Sequence, residues 1–382
     1  MRVLHLTPEL PFAPGGSGGQ TFEFGLLRRL AELGHDVLNI SPAEPAFMAH
    51  TGSLRDVGVE SWVAPRPASQ PLEALRAMLA EPAILATAAA APVRALEMRV
   101  FWQRLRPLAE QALAQWRPDV ALVGHDMAAA WGLGLGHLPK ALTLHNLTWR
   151  IYDAQAERAT GAKRALLRAE AARYRRHVLR ALPRYDALVA VSTDEAALLR
   201  ATGHPHVELI PIGVDTEAIP AQPPAAGPPT LLFTGTMSYP PNAEGIVWFV
   251  QEVWPRVRDA VADARLEIVG RNPPEAVTAL GAAPGVEVVG PVPSMAPWFA
   301  RATVVVVPIL TGAGIRVKIV EAMSARRAIV STSTGWEGLA HVEPGRHLLV
   351  ADSPDAFADA AIALLRDPAE RERLAAAARD LA

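Results

Sequence analysis

The sequence predicts an α/β protein made of two doubly wound parallel sheets in series, and three observations carry that expectation. Strand-like and helix-like stretches alternate from the first residues to the last, the pattern of strands linked by crossover helices. The valine run Val304–Val307 is apolar at every position, which suits a parallel strand covered on both faces rather than a half-exposed one. The alternation is broken once, at residues 219–229, where five prolines fall in IPAQPPAAGPP and predict a semi-rigid linker. The domains expected are therefore residues 1–218 and 230–382, and 382 residues exceed one typical core.

In the first half, Val3 to Leu6 predicts a strand, followed by the loop PFAPGGSGGQ. A helix carries Phe22, Leu26, Leu27, Leu30 and Leu33 at helical spacing and stops at Gly34. Asp36 to Ile40 is the next strand. The proline- and alanine-rich stretch 42–93 gives little pattern beyond a strand at Val59–Val63 and a helix over 71–90. A helix over 94–116 is interrupted at Pro107. Then come a strand at 119–124, a helix at 127–135, a strand at 141–145 and a basic helix at 162–181. The strand 186–191 ends at Ser192, which forms a capping box with Glu195, and Val207 to Ile212 closes the half.

Beyond the linker, strands are expected at 230–234, 265–269, 286–289, 304–307 and 328–331. Helices are expected at 243–261, near 275, at 294–300, from about Ile315, at 354–365 and at 368–380. The turn between Val307 and Ile315 contains Gly312 and Gly314, where backbone approaches a ligand closely. The helix start after it offers unpaired N–H groups and positive dipole charge, a cradle for phosphate. One turn on, Lys318 and Glu321 share a face, suited to a ligand with both phosphate and hydroxyls, or to an ordinary surface ion pair.

Composition excludes several classes. The formal charge of −2 and pI near 6.6 give no reason to expect nucleic acid as a partner. The absence of cysteine excludes disulfides, thiolate catalysis and zinc–thiolate sites. No stretch is apolar for the ~18 residues of a membrane span, and the first ten residues, MRVLHLTPEL, do not read as a signal peptide. A cytoplasmic location follows as the expectation. Ligands of doubly wound sheets lie beyond the carboxyl ends of the strands. Those ends hold the GGSGG loop, His125 with Asp126, His145 with Asn146, Ser192, Gly235 to Met237, Gly270 with Arg271, and Gly290 to Val292. The GGSGG loop lacks the GxGxxG spacing, and Asn39, Ile40 and Ser41 stand where a dinucleotide site needs an acid. There is no GxxxxGK[ST] motif either. His125, Asp126 and His145 fall short of a metal ligand set, and no metal or other cofactor is expected.

Taken together, the motifs resemble the retaining glycosyltransferases of family 4, which have the GT-B fold. The resemblance runs nearly end to end: GHDV at 34–37, TLHN at 143–146, VAVSTDEAALL at 189–199 and IPIGVD at 210–215 in the first half. In the second it rests on FTGTMSYPPNAEG at 233–245, GAGIRVKIVEAMSARRAIVSTSTGWEGL at 312–339 and HLLVADSPDAFADAAIALL at 347–365. The TGTMSYPPN and GAGIR forms are similar to the branch associated with exopolysaccharide loci. The resemblance implies two Rossmann-like domains facing across a cleft, an acceptor side first and a nucleotide-sugar side second. It implies transfer of a hexosyl unit from a nucleoside diphosphate sugar to a glycan or lipid-linked saccharide acceptor.

By the same resemblance, Glu321 matches the glutamate that binds ribose hydroxyls, and the amides of Gly314 and Ile315 face the diphosphate. Arg316 or Lys318 supplies positive charge to the leaving phosphate, and His145 matches the histidine near the donor sugar. Gly18 and Gly19 match the loop that closes over it, while Gly235 and Arg271 lie on the donor side. Several positions depart from the family pattern. Ala313 stands where a first glutamate precedes Glu321 by eight residues, and TGTMSYPPN lacks the usual arginine and lysine. Ile212 replaces an asparagine; longer members continue into a helix that crosses back over the first domain, and here that part is expected to be missing or shortened, or the last helix to pack back toward the first domain. These departures keep open a nucleotide-sugar epimerase or hydrolase on the same fold, and a non-catalytic sugar-nucleotide-binding protein. Arginines from Arg164 to Arg184 accompany Leu167, Ala171, Tyr174 and Val178 at helical spacing. That 162–184 segment suggests peripheral contact with an anionic membrane, or simply a solvated basic face.

Overall fold

The computed structural model describes residues 1–13, 18–65, 93–312 and 316–382. The chain forms two compact units, Met1–Pro211 and Ile212–Ala382. The first holds a seven-stranded sheet of β1 (Arg2–Leu6), β2 (Asp36–Ala43), β3 (Glu60–Pro65), β4 (Val120–Gly124), β5 (Lys140–Leu144), β6 (Ala187–Ala190) and β7 (Val207–Leu209). Its order is β3-β2-β1-β4-β5-β6-β7, and every neighbouring pair is parallel. The second holds β8 (Thr230–Thr234), β9 (Arg265–Val269), β10 (Val286–Gly290), β11 (Val304–Val307), β12 (Ala328–Ser331) and β13 (Leu349–Val350). Their order is β10-β9-β8-β11-β12-β13, again parallel throughout. Each is the doubly wound arrangement expected, and in each the order reverses beside its first strand, between β1 and β4 and between β8 and β11.

The local signals explain most elements. All four valines of β11 are fully buried, as a strand covered on both faces requires. Ser192 Oγ accepts the Glu195 amide at 3.1 Å and caps the helix Thr193–Arg200. Ser353 and Asp367 cap the last two helices in the same way. Other elements differ from expectation. The stretch 127–135 forms two short 3₁₀ turns, Asp126–Ala128 and Trp131–Leu135, broken up by Gly132, Gly134 and Gly136. The helix expected at 243–261 begins at Pro240, whose fixed φ suits a first turn, and passes through a π turn at Phe249–Val253. In the helix Gly18–Glu32 the buried residues are Gln20, Glu23, Phe24 and Leu27, whereas Leu33 lies beyond the helix end and is exposed. The face that packs is therefore rotated toward two polar residues. The helix expected over 71–90 lies outside the described residues.

The proline-rich segment is tied to the second unit. The Gln222 amide donates to Ala325 O at 3.1 Å, Arg327 donates to Pro223 O at 2.6 Å, and Ser324 Oγ donates to Ile219 O at 2.6 Å. Arg379, on the final helix Pro368–Leu381, reaches the same Ser324 and Ile219. Leu374 and Ala378 of that helix belong to the second unit's core.

Candidate functional site

In the second unit, three loops at the carboxyl ends of β8, β9 and β10 are stitched together. Gly235 N donates to Val269 O at 3.1 Å, Met237 N to Arg271 O at 2.8 Å, and Gly270 N to Gly290 O at 2.9 Å. This closeness requires glycine. A Cβ on Gly270 would lie 1.7 Å from Gly235 O, and one on Gly235 would lie 2.8 Å from Asn242 Nδ2 and 3.0 Å from Lys318 Nζ. Asn242, from the stretch FTGTMSYPPNAEG, holds the corner. Its Nδ2 donates to Thr236 O at 2.9 Å and its Oδ1 accepts from Lys318 Nζ at 2.8 Å.

Lys318 sits on the helix Val317–Ser324 and is buried, so a surface ion pair with Glu321 does not describe it. Its ammonium also lies 4.2 Å from the centre of the Phe233 ring. Burial, then repulsion from Arg316, brings its pKa down to about 7, against the pull of Glu321. Burial raises the Glu321 carboxyl to about 7, with Lys318 opposing. Arg316 is buried too, hydrogen-bonded to Tyr239, and lowered by burial against the pull of Tyr239 and Glu337. Gly312 backs this group, since a Cβ there would lie 3.1 Å from the guanidinium and 3.2 Å from the Tyr239 hydroxyl. Gly235, Asn242 and Lys318 thus form one contact group and Arg316, Tyr239 and Gly312 another, the two coupled electrostatically through Arg316 and Lys318. Arg271 is half-buried at the end of β9 and lowered by burial. Gly314 and Ile315 lie outside the described residues.

In the first unit, His145 follows β5 and is buried. Around it are residues that sequence reasoning passed over: Glu23 from the first helix and His5 from the middle of β1. Glu23 Oε1 lies 3.5 Å from His145 Nε2 and 3.8 Å from His5 Nε2, while Oε2 accepts from Thr7 Oγ1 at 2.6 Å. Burial, with Glu9 adding to it, raises Glu23 to about 8 against the pull of Thr7 and His125. Burial lowers His5 to about 4, against its Asn39 hydrogen bond. His145 is lowered by burial and by the neighbouring His125 and His5. His125 has φ +75° and places Nδ1 2.8 Å from Asp126 Oδ1. Burial lowers its pKa, but Asp126, Glu9 and Glu23 outweigh that and the net shift is upward. Asp126 in turn accepts from the Thr148 amide at 2.7 Å and its hydroxyl at 2.8 Å. The signal that could have revealed Glu23 is a carboxylate between Phe22 and Phe24 on an otherwise apolar turn. Gly18 and Gly19 open the same helix, Gly18 exposed and Gly19 half-buried.

Among the described residues, no group of three or more His, Cys, Asp or Glu is placed to hold a metal ion, and no helix is long and apolar enough to cross a membrane. On the basic helix Gly161–Ala181, Ala171, Tyr174 and Val178 pack into the first unit's own core. Arg164, Arg168, Arg175 and Arg176 remain exposed.

Comparison with known proteins agrees with this architecture. A family profile described as Glycosyltransferase Family 4 matches residues 16–218, and one described as Glycosyl transferases group 1 matches residues 228–367. No curated protein matches the sequence. Among solved structures, sucrose-phosphate synthase from Thermosynechococcus elongatus is similar with a TM-score of 0.72 and 17% identity, over 100% of this chain and 94% of that one. HepE of Anabaena, in complex with UDP and glucose, gives 0.66 and 13% over 99% and 94%. A glycosyltransferase from Rickettsia africae gives 0.61 and 12% over 99% and 92%. At these identities the likeness is one of fold. With a family profile covering more than half of its length, and with two doubly wound parallel sheets as expected, the chain belongs to glycosyltransferase family 4.

Proposed function

We propose that the protein transfers a hexosyl group from a nucleoside diphosphate sugar to a glycan or lipid-linked saccharide acceptor, with retention at the anomeric carbon. The observation that carries this reading is Lys318, a buried ammonium hydrogen-bonded to a neutral amide beside a glycine-walled loop. A buried cation of this kind is poised for an anion, and a diphosphate at the strand-order reversal supplies one. Arg316 and Lys318 then supply the charge lacking in TGTMSYPPN and stabilise the leaving phosphate as the glycosidic bond breaks. By the family resemblance the amides of Gly314 and Ile315 are assigned to the diphosphate, and Glu321 accepts from the ribose hydroxyls. Gly235 and Arg271 border the donor. His145, with Gly18 and Gly19 at the start of the first helix, contacts the sugar from the acceptor-side domain, residues 1–218. Residues 230–382 hold the nucleotide; HepE, which has a similar fold, binds UDP and UDP-glucose.

Retention fits a same-face reaction assisted by the departing phosphate, so no protein nucleophile is assigned. The sequence forms shared with the exopolysaccharide branch point to a growing polysaccharide as acceptor. The exposed arginines of Gly161–Ala181 would hold the enzyme electrostatically at an anionic cytoplasmic membrane face, since the apolar stripe of that helix is already packed. A thermal-shift screen with UDP, GDP, ADP and dTDP, followed by turnover of the matching sugars, tests the assignment. Glu321→Ala is expected to weaken nucleotide binding, and His145→Ala to reduce turnover more than binding. Nucleotide binding without transfer or hydrolysis would instead indicate a binding protein. Unchanged nucleotide affinity in Glu321→Ala would remove the proposed donor site.

A further inference from the structure

We propose that Glu23 is a positioning residue that, as a neutral carboxylic acid, donates a hydrogen bond from Oε1 to Nε2 of His145 and so holds that imidazole as the Nδ1–H tautomer. The direction follows from a chain of donors and acceptors. Asn39 Nδ2 donates to Ser41 Oγ at 3.1 Å and to Ser61 Oγ at 3.2 Å, which turns Oδ1 toward His5. His5 Nδ1 lies 2.9 Å from that oxygen and must be the donor, so in the neutral ring Nε2 carries only a lone pair. That lone pair faces Glu23 Oε1 at 3.8 Å. The other carboxyl oxygen is already an acceptor, from Thr7. An ionised Oε1 would thus meet the lone pair of His5 in a fully buried setting; a protonated one has a donor to give.

Among the described residues, Glu23 Oε1 and His145 Nε2 are buried without a hydrogen-bond partner, and they lie 3.5 Å apart. A shift of about half an ångström makes them a hydrogen bond. The site is built for the carboxyl, because a Cβ on Gly124 would fall 1.9 Å from Oε1. The charged and titratable groups facing the pair are His5 from β1, Glu9 after it, and His125 with Asp126 after β4. The upward shift of Glu23 and the downward shift of His145 agree with a neutral acid against a neutral ring. With Nε2 occupied, His145 keeps Nδ1–H as a hydrogen-bond donor and has no basic nitrogen free to take a proton. For the proposed reaction this makes His145 a donor to a substrate oxygen rather than a general base, and that consequence rests on the donor-sugar role given to His145 above.

The test is the nitrogen-15 spectrum of the full chain labelled at histidine, with His145 assigned through His145→Gln and His5 through His5→Gln. Near neutral pH the expected pattern for His145 is Nδ1 protonated and Nε2 bare, reversing as Glu23 ionises on raising the pH through about 8. Glu23→Gln keeps the donor toward Nε2, so the Nδ1–H form should persist at high pH. Protonated Nε2 at neutral pH overturns the proposal, as does a Glu23→Gln change confined to His5. Turnover of UDP-glucose, read as UDP release, gives the second measurement. Glu23→Leu is expected to lower it about tenfold, one lost hydrogen bond's worth, and Glu23→Gln to rescue it without the alkaline loss. If the tautomer pattern holds while His145→Ala leaves turnover unchanged, the reading of His145 has failed and the positioning has not. If His145→Ala abolishes turnover but the tautomer is wrong, the positioning has failed alone.

Discussion

Lys318 and Glu321 lead to a bell-shaped pH dependence of donor binding. A diphosphate needs the ammonium, and ribose hydroxyls favour the carboxylate as acceptor, yet burial brings both groups to about 7. The two protonations belong to the pair and set two limbs on either side of neutrality. Each limb should cost about 1.4 kcal/mol, or tenfold in affinity, per pH unit. Two units above the lysine's value the loss is about a hundredfold, whereas a lysine at its ordinary 10.5 would show none there. Calorimetric titration with an intact nucleoside diphosphate sugar is the suitable assay, because its diphosphate has no terminal phosphate to titrate nearby. Lys318→Arg, charged throughout, should flatten the alkaline limb, and Glu321→Gln the acid one. Flat wild-type affinity on the alkaline side, or an alkaline limb that survives Lys318→Arg, would refute this reasoning.

Other outcomes follow from the same geometry. Asn242→Ala removes the acceptor of a buried ammonium, so it should destabilise the fold by about 1–3 kcal/mol and move the alkaline limb to lower pH; denaturant titration and the same calorimetry read both. Gly270→Ala drives a Cβ into Gly235 O. It should cost about 1–3 kcal/mol of stability and weaken nucleotide binding, whereas wild-type melting and affinity would contradict the close approach. Flotation with anionic vesicles at low salt should retain the protein through the exposed arginines of Gly161–Ala181 and lose it at high salt. Absence of binding at low salt would remove membrane contact from the proposal.

Much of the fold was legible because its signals are local. Four consecutive valines and Ser192 three residues before Glu195 each express a preference within a turn or two of chain. The glycines that wall the second unit's loop could also be suspected from their places after strands. The functional face of the first helix could not. Its leucine spacing suggested a stripe running to Leu33, but the sheet edge buries Gln20 and Glu23 instead, because the helix start abuts the polar ends of β1, β4 and β5.

The amino-acid order by itself determined two doubly wound sheets and the family, since these depend on periodicity and on motifs contiguous in the chain. Only the tertiary structure decided that Lys318 is held by Asn242 from 76 residues away and that Glu23 lies against His5 and His145. Protonation in such groups depends on desolvation and on neighbours distant in sequence. A buried charge is therefore a property of the folded chain, which no local pattern encodes.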